Sequence, residues 1–325
     1  MSRTMLQVRV TRKSMDAEDV AVLELASVDE ERQPLPAFSA GAHIDVQLPN
    51  GLVRQYSLCN SPADSHRYQI GVLRDSASRG GSTAVHDLIK EGTTLEISSP
   101  RNHFPLAIEA SHSILLAGGI GVTPILSMAE RLSAIDAPFD FHYCTRSLQC
   151  TAFHSRILAS AFATRVSFHH DDGDEGQKLH LRELLDSHRE ATGVHLYVCG
   201  PQGFLDWVIQ SAEAAGWPAA QLHYEYFGAE VSKSNSDAEF EVQVSSSGLL
   251  VRVLGGQSVV EALAQHGVQV ETSCEQGVCG TCVTRVLRGT PDHRDHYLTA
   301  QEHAANNQFM PCCSRSKSPV LVLDL

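Results

Sequence analysis

Apolar and polar positions alternate along the first hundred residues. Gln7-Val8-Arg9-Val10-Thr11 and His43-Ile44-Asp45-Val46-Gln47-Leu48 are short period-two runs broken by turn signals such as Pro49-Asn50-Gly51. Such alternation gives half-buried strands, and several at close spacing predict a barrel. From Ser111 the rhythm changes. Ser113-Ile114-Leu115-Leu116-Ala117 predicts a short buried strand, followed by Gly118-Gly119-Ile120-Gly121 and a helical pattern through Leu132. Further strands are expected at Phe139–Tyr143, near Val166–His169, and at His195-Leu196-Tyr197-Val198, which leads into Cys199-Gly200-Pro201. Strands alternating with helices predict a parallel α/β sheet. Residues 229–237 (AEVSKSNSD) are polar without an apolar period and read as a linker. The expected domains are an antiparallel β-barrel at 1–105, a parallel α/β domain at 106–228, the linker, and a last domain at 238–325.

The length of 325 residues agrees with two or three such units. A formal charge of −13 disfavours nucleic acid as a partner, because phosphate contacts need a basic face. It suits solubility, or steering towards a basic protein. No apolar run reaches the roughly 18–20 residues that cross a bilayer. The start, MSRTMLQVRVTRK, lacks the apolar core of a secretory signal. A cytoplasmic protein with no membrane partner is expected.

The nine cysteines change the picture most. An odd count in a chain of this kind argues against a disulfide framework. Cys274, Cys279 and Cys282 stand in C-x4-C-x2-C spacing, with Cys312 thirty positions on. That is the spacing of a plant-type [2Fe–2S] site. Two irons need four thiolates, and one tight loop supplies three. Gly277 and Gly280 let its backbone curl close enough for N–H groups to point at sulfur. A zinc site would favour two C-x2-C pairs, and there is one. Cys313 competes with Cys312 for the fourth position; the spacing and the following Ser314-Arg315 favour Cys312. Cys59, Cys144 and Cys150 read as core or surface thiols. The segment resembles the plant-type ferredoxin domain, which implies a β-grasp fold with a helix near Ser258–His266 on its sheet.

Two further constellations concern nucleotides. Arg54-Gln55-Tyr56-Ser57 follows the Pro49-Asn50-Gly51 turn. It offers a cation for phosphate, an aromatic face for a flavin, and a hydroxyl near the ring edge. Gly71-Val72-Leu73-Arg74 and Arg79-Gly80-Gly81-Ser82-Thr83 come next, the latter with glycines for an anion nest and a possible helix start. Alone, each has a plainer reading as core or turn; together they match the flavin-binding barrel of the ferredoxin–NADP reductase superfamily. Gly118, Gly119 and Gly121 form a glycine turn between strand and helix, which permits close approach of a pyrophosphate. Thr123 is expected to cap the helix and Pro124 to fit its first turn. In that superfamily the second such turn, Cys199-Gly200-Pro201, lies near the nicotinamide with the cysteine close to hydride transfer. Glu225-Tyr226-Phe227 ends the unit; Phe227, or alternatively Tyr226, is expected at the flavin face.

The order of the three units resembles the phthalate dioxygenase reductase family over the whole chain. The resemblance implies FMN, NADH and a [2Fe–2S] cluster as cofactors and a Rieske-type terminal oxygenase as electron acceptor, served by a monomeric shuttle. It implies FMN contacts from Arg54, Gln55, Tyr56, Ser57, Val72, Leu73, Arg74, Gly80, Gly81, Ser82, Thr83 and Thr123. Those to NAD would come from Gly118, Gly119, Gly121, Thr145, Arg146, Cys199, Gly200 and Pro201, with Ser57, Cys199 and Phe227 at the reacting centre. No acidic residue follows the second α/β strand, where Thr145-Arg146-Ser147 stands, so NADH rests on the resemblance. His103 stands where many relatives carry an apolar residue. The same electron path serving a diiron hydroxylase, and a redox-sensing protein without turnover, are the competing readings.

Overall fold

The computed structural model describes residues 5–29, 34–76, 78–188, 192–228 and 237–325. It divides into two compact units, Met1–Phe227 and Gly228–Leu325. Of the expected linker, residues 229–236 lie outside the described residues.

The first unit opens with β1 (Met5–Ala17), β2 (Val20–Ser27), β3 (His43–Gln47), β4 (Val53–Ser57), β5 (Tyr68–Leu73), helix α1 (Gly81–Leu88) and β6 (Thr94–Ser98). The six strands form one antiparallel sheet in the order β4-β3-β6-β1-β2-β5. A bridge between Leu58 and Ile70 joins its two edges, closing the barrel. Alternation does what the sequence predicts: Leu6, Val8 and Val10 of β1 point inward to Leu23, Ile44 and Ile97. Asp45 sits in this wall with its side chain only 3% exposed, paired with Arg101 at 2.7 Å.

A five-stranded parallel sheet follows, ordered β11-β10-β7-β8-β9. Its elements are β7 (His112–Gly118), α2 (Val122–Ala134), β8 (Phe139–Thr145), α3 (His154–Leu158), β9 (Val166–His170), α4 (Leu181–Ser187), β10 (Val194–Gly200), α5 (Gln202–Ala214) and β11 (Leu222–Tyr226). Strand β11 is absent from the sequence prediction. As an edge strand it is only half-buried, so its alternation is weak. One face of the sheet packs on α2, the other on α4 and α5. The α2 side shares a hydrophobic cluster with Val20, Val22 and Cys59 of the barrel. Gly71 of β5 fits there because a Cβ would stand 3.0 Å from both Thr123 Cγ2 and Phe153 Cζ.

The second unit contains β12 (Phe240–Val244), β13 (Leu250–Val253), α6 (Val259–Gln265), β14 (Thr284–Arg288), β15 (Pro291–Asp292), α7 (Ala300–Ala305), β16 (Gln308–Phe309), β17 (Arg315–Ser316) and β18 (Val320–Leu323). A mixed sheet, β13-β12-β18-β14-β16, carries α6 on one face, the β-grasp arrangement. A capping box from Ser258 and Glu261 starts α6. At the beginning of the unit, Asp237 takes Arg294 at 3.0 and 3.1 Å and lies 3.6 Å from Arg315. Arg315 also donates to the carbonyls of Ala238, Leu254 and Gln257.

Removing one partner of a buried ion pair strands the other charge. Arg101→Met is therefore expected to destabilise the first unit by about 3 kcal/mol. Denaturant unfolding followed by far-ultraviolet circular dichroism measures it.

Candidate functional site

Strand β4 pairs with β3 so that Ser57 faces His43, Tyr56 faces Ile44, and Gln55 faces Asp45. The Gln55 amide donates to Asp45 Oδ1 at 3.3 Å. Tyr56 is largely buried, its hydroxyl has no hydrogen-bond partner, and burial pushes the phenol upward. Arg54 lies over the start of α1. A Cβ on Gly81 would stand 2.8 Å from Arg54 Cγ and 2.9 Å from its Nε. The first-turn N–H groups of a helix have no intrahelical acceptor, and the dipole favours an anion there. An arginine held over such a terminus suits a phosphate. Gly80 permits this entry, being the N-cap in the left-handed region at φ 90°. Ser82 Oγ accepts from the Asp75 N–H at 3.1 Å, and Thr83 is half-buried beside it. In β5, Val72 is buried with its carbonyl accepting from His86 Nε2 at 3.0 Å, and Leu73 packs on the shared cluster. Arg74 is paired with Asp87 at the other end of α1.

Strands β7 and β10 are neighbours, yet the chain runs out through β8 and β9 between them. Ligands of open α/β sheets bind where the strand order reverses in this way. The turns after the two strands touch. A Cβ on Gly121 would stand 2.3 Å from the Cys199 carbonyl oxygen, and one on Gly200 would stand 3.0 Å from Gly118 Cα. Gly119, at φ 51°, has open space on its Cβ side. Helix α2 starts at Val122 with Gly121 as N-cap, which corrects the expected capping by Thr123. Thr123 is inside the first turn, and its hydroxyl donates back to the Ile120 carbonyl at 3.1 Å instead of accepting a backbone N–H. Pro201 is the N-cap of α5. Thr145 is buried, its hydroxyl within 2.8 Å of Thr151 Oγ1 and 2.9 Å of His170 Nδ1, while Arg146 is exposed.

The barrel and the sheet meet at Glu225. Its backbone pairs with Cys199 on β10, and its Oε2 accepts from Ser57 Oγ at 3.3 Å. His43 Nδ1 lies 3.9 Å from the other carboxylate oxygen. Burial pushes the Glu225 carboxyl up to about 8, with the Ser57 hydrogen bond opposing. The fully buried Cys199 thiol is raised well above its ordinary value by burial, then by the nearby Glu225. Burial, with Arg101 and His103 adding, holds His43 down to about 3. Both His43 nitrogens lack hydrogen-bond partners, and the ring stacks on His103 at 5.2 Å. Phe227 is 37% exposed just beyond β11. Tyr226 instead donates to Asp206 at 3.0 Å and packs on the sheet.

In the second unit Cys274, Cys279, Cys282 and Cys312 are all buried. The clustered thiols shift one another, Cys274 lowering Cys279, and Cys282, with Cys313 after it, lowering Cys312. The Gln276 N–H donates to Cys274 Sγ at 3.3 Å, and the Gly277 N–H to Cys312. Gly277 and Gly280 both have positive φ; side chains there would strike Cys313 Sγ at 2.5 Å and the Tyr297 ring at 2.2 Å. Cys313 Sγ is directed to the Met310 carbonyl at 3.7 Å.

Residues 242–317 match the model of the 2Fe-2S iron-sulfur cluster binding domain. The whole chain is similar to vanillate O-demethylase oxidoreductase of Pseudomonas putida, 53% identical over 99% of this chain and 100% of that one. It is 40% identical to phthalate dioxygenase reductase of Burkholderia cepacia, over 98% and 97%. A solved phthalate dioxygenase reductase, titled a modular structure for electron transfer from pyridine nucleotides to [2Fe–2S], is 39% identical. It superposes with a TM-score of 0.78, covering 99% of this chain and 98% of that one. The chain belongs to the phthalate dioxygenase reductase family. It is accordingly an NADH-dependent oxidoreductase of an oxygenase system, with FMN and a [2Fe–2S] cluster as cofactors.

The residues present fit those groups. For a phthalate dioxygenase reductase the orphaned Tyr56 hydroxyl and the cradle at Gly81 suit a flavin phosphate ester, and four buried thiols with donating N–H groups suit a cluster. Sequence reasoning missed Glu225 as a site residue and did not single out His43. The available signal was a lone carboxylate inside the apolar-aromatic run Leu222–Phe227.

Two expectations follow. The nearest atoms to a Cβ at Gly81 belong to the flexible Arg54 side chain, so Gly81→Ala should fold normally yet bind flavin roughly tenfold more weakly, about 1.4 kcal/mol. Flavin fluorescence on dilution checks this. Glu225 is raised when folded, so the unfolded chain binds fewer protons between about pH 4.5 and 8, and the wild type loses stability as pH rises through that window. Glu225→Gln should flatten that loss; thermal melts at pH 5 and pH 8.5 compare the two.

Proposed function

We propose that this chain is the reductase component of a Rieske-type oxygenase that demethylates an aryl ether of the vanillate class, working as a monomer in the cytoplasm. The observation that carries the reading is the full-length similarity to vanillate O-demethylase oxidoreductase of Pseudomonas putida. Consistently, no helix among the described residues is long and apolar enough to cross a membrane.

Arg54 and the start of α1 hold the FMN phosphate, with Gly80, Gly81, Ser82 and Thr83 shaping the turn. Tyr56 would face the ring, and Gln55, Val72, Leu73, Arg74 and Thr123 would complete the wall. The glycine turns at Gly118–Gly121 and Cys199–Pro201 seat NADH, with Thr145 and Arg146 at the outer end. Phe227, exposed just beyond β11, would cover the flavin face where nicotinamide must dock. Cys274, Cys279, Cys282 and Cys312 ligate the cluster. When bound, the flavin would supply a two-electron hydride acceptor and the cluster a one-electron carrier. Glu225 holds a proton near neutral pH at the carboxylate that meets Ser57 Oγ, so this pair can supply or take a proton at the flavin edge without water entering.

Cys279→Ser should retain flavin reduction by NADH but lose at least a hundredfold in reduction of the oxygenase. Anaerobic absorption spectra taken before and after NADH read both steps. Unchanged oxygenase reduction would overturn the electron path. NADH-driven demethylation of vanillate by the reconstituted pair tests the partner, and turnover only with a phthalate-type oxygenase would overturn that assignment.

A further inference from the structure

Beside the cysteine loop of the second unit lies a carboxylate with no exposed surface. Asp295 Oδ2 accepts from the Leu298 N–H at 2.8 Å and lies 3.1 Å from His303 Nε2. Its Oδ1 accepts from Ser314 Oγ at 3.3 Å and lies 3.7 Å from His293 Nδ1. The two imidazoles stack at 4.4 Å. The His293 side chain is 9% exposed, and its Nδ1 is buried without a hydrogen-bond partner. Its Nε2 lies 3.3 Å from Asn306 Oδ1. A capping box from Thr299 and Glu302 starts α7, the helix that carries His303.

A buried carboxylate needs a compensating charge or a metal. The neighbouring arginines are committed elsewhere: Arg294 to Asp292 and Asp237, Arg315 to Asp237 and three carbonyls. Among the described residues, two neutral-capable imidazoles face Asp295, one with an orphaned nitrogen turned to it. The three ligand atoms lie within 4.8 Å of one another. Tetrahedral zinc with nitrogen and oxygen ligands at about 2.0–2.1 Å separates them by roughly 3.3 Å. Imidazole and carboxylate suit a zinc-class ion, and half-exposed His303 leaves a side open for water as a fourth ligand.

We propose that His293 Nδ1, Asp295 and His303 Nε2 form a site for a zinc-class divalent cation, separate from the cluster cysteines. The ion would brace the segment on which the cysteine loop rests. His296 N–H donates to the Gly277 carbonyl at 3.0 Å, and Asp295 Cβ would lie 3.2 Å from a Cβ on Gly277. A second group, His112, Asp140 and His188 on the α/β sheet, is half-exposed at all three positions and has no orphaned atom.

The test uses the holoprotein with FMN and cluster in place, equilibrated with zinc chloride, desalted, and counted by elemental analysis. One zinc per two irons is expected, with a nitrogen and oxygen shell near about 2.0 Å in zinc-edge X-ray absorption instead of sulfur near about 2.3 Å. Losing a ligand should cost at least as much as losing a supporting partner, so His303→Gln should weaken zinc binding roughly a hundredfold or more with iron content unchanged. His188→Gln should leave it intact. No retained zinc, a sulfur shell with falling iron, or zinc that survives His303→Gln or leaves with His188→Gln would each overturn the proposal.

Discussion

A side chain at Gly121 would overlap the Cys199–Gly200 peptide, so the turns after β7 and β10 approach this closely only because they are bare there. Much else hangs on that approach. It brings two helix starts, those of α2 and α5, to one crevice at the reversal of strand order. It also fixes the end of β10, and through the Cys199–Glu225 pairing the end of β11. The carboxylate is thereby delivered to Ser57 on the barrel, across a boundary already sealed by a common hydrophobic cluster. The proposed reacting centre thus draws on three strands of two sheets.

The parts of this protein written in short spacing were legible. The cysteine loop is a local object: three thiols, two glycines and the N–H groups between them define their own geometry, and only Cys312 comes from elsewhere. The glycine turns are legible for the same reason, since close backbone approach needs bare Cα atoms. Glu225 was not legible as a site residue, because its meaning arises from contacts with Ser57, 168 positions away, and with Cys199 on a neighbouring strand. Strand β11 escaped because an edge strand buries too little to show a period. Thr123 misled because a threonine beside a glycine turn reads as a cap, while the helix is capped two residues earlier, at Gly121, and its first turn makes the hydroxyl a donor.

Burial also sorts the titrating groups of the first unit by role. Arg74 and Asp87 satisfy one another in solvent, where such a pair contributes little. Glu225 and His43 are withdrawn from water, and that burial shifts both toward their neutral forms. The centre therefore stays low in charge near neutral pH, which suits a flavin that gains and loses charge in turnover.

The clamp on Asp237 has a different consequence. It ties a residue just ahead of β12 to Arg294 and Arg315, in the unit's own last third, so the unit is sewn shut close to where its sheet begins. A module closed at its entry does not rely on what precedes it to hold its β-sheet in register. Evolution, or an engineer, could therefore splice it behind another catalytic chain by changing only the tether.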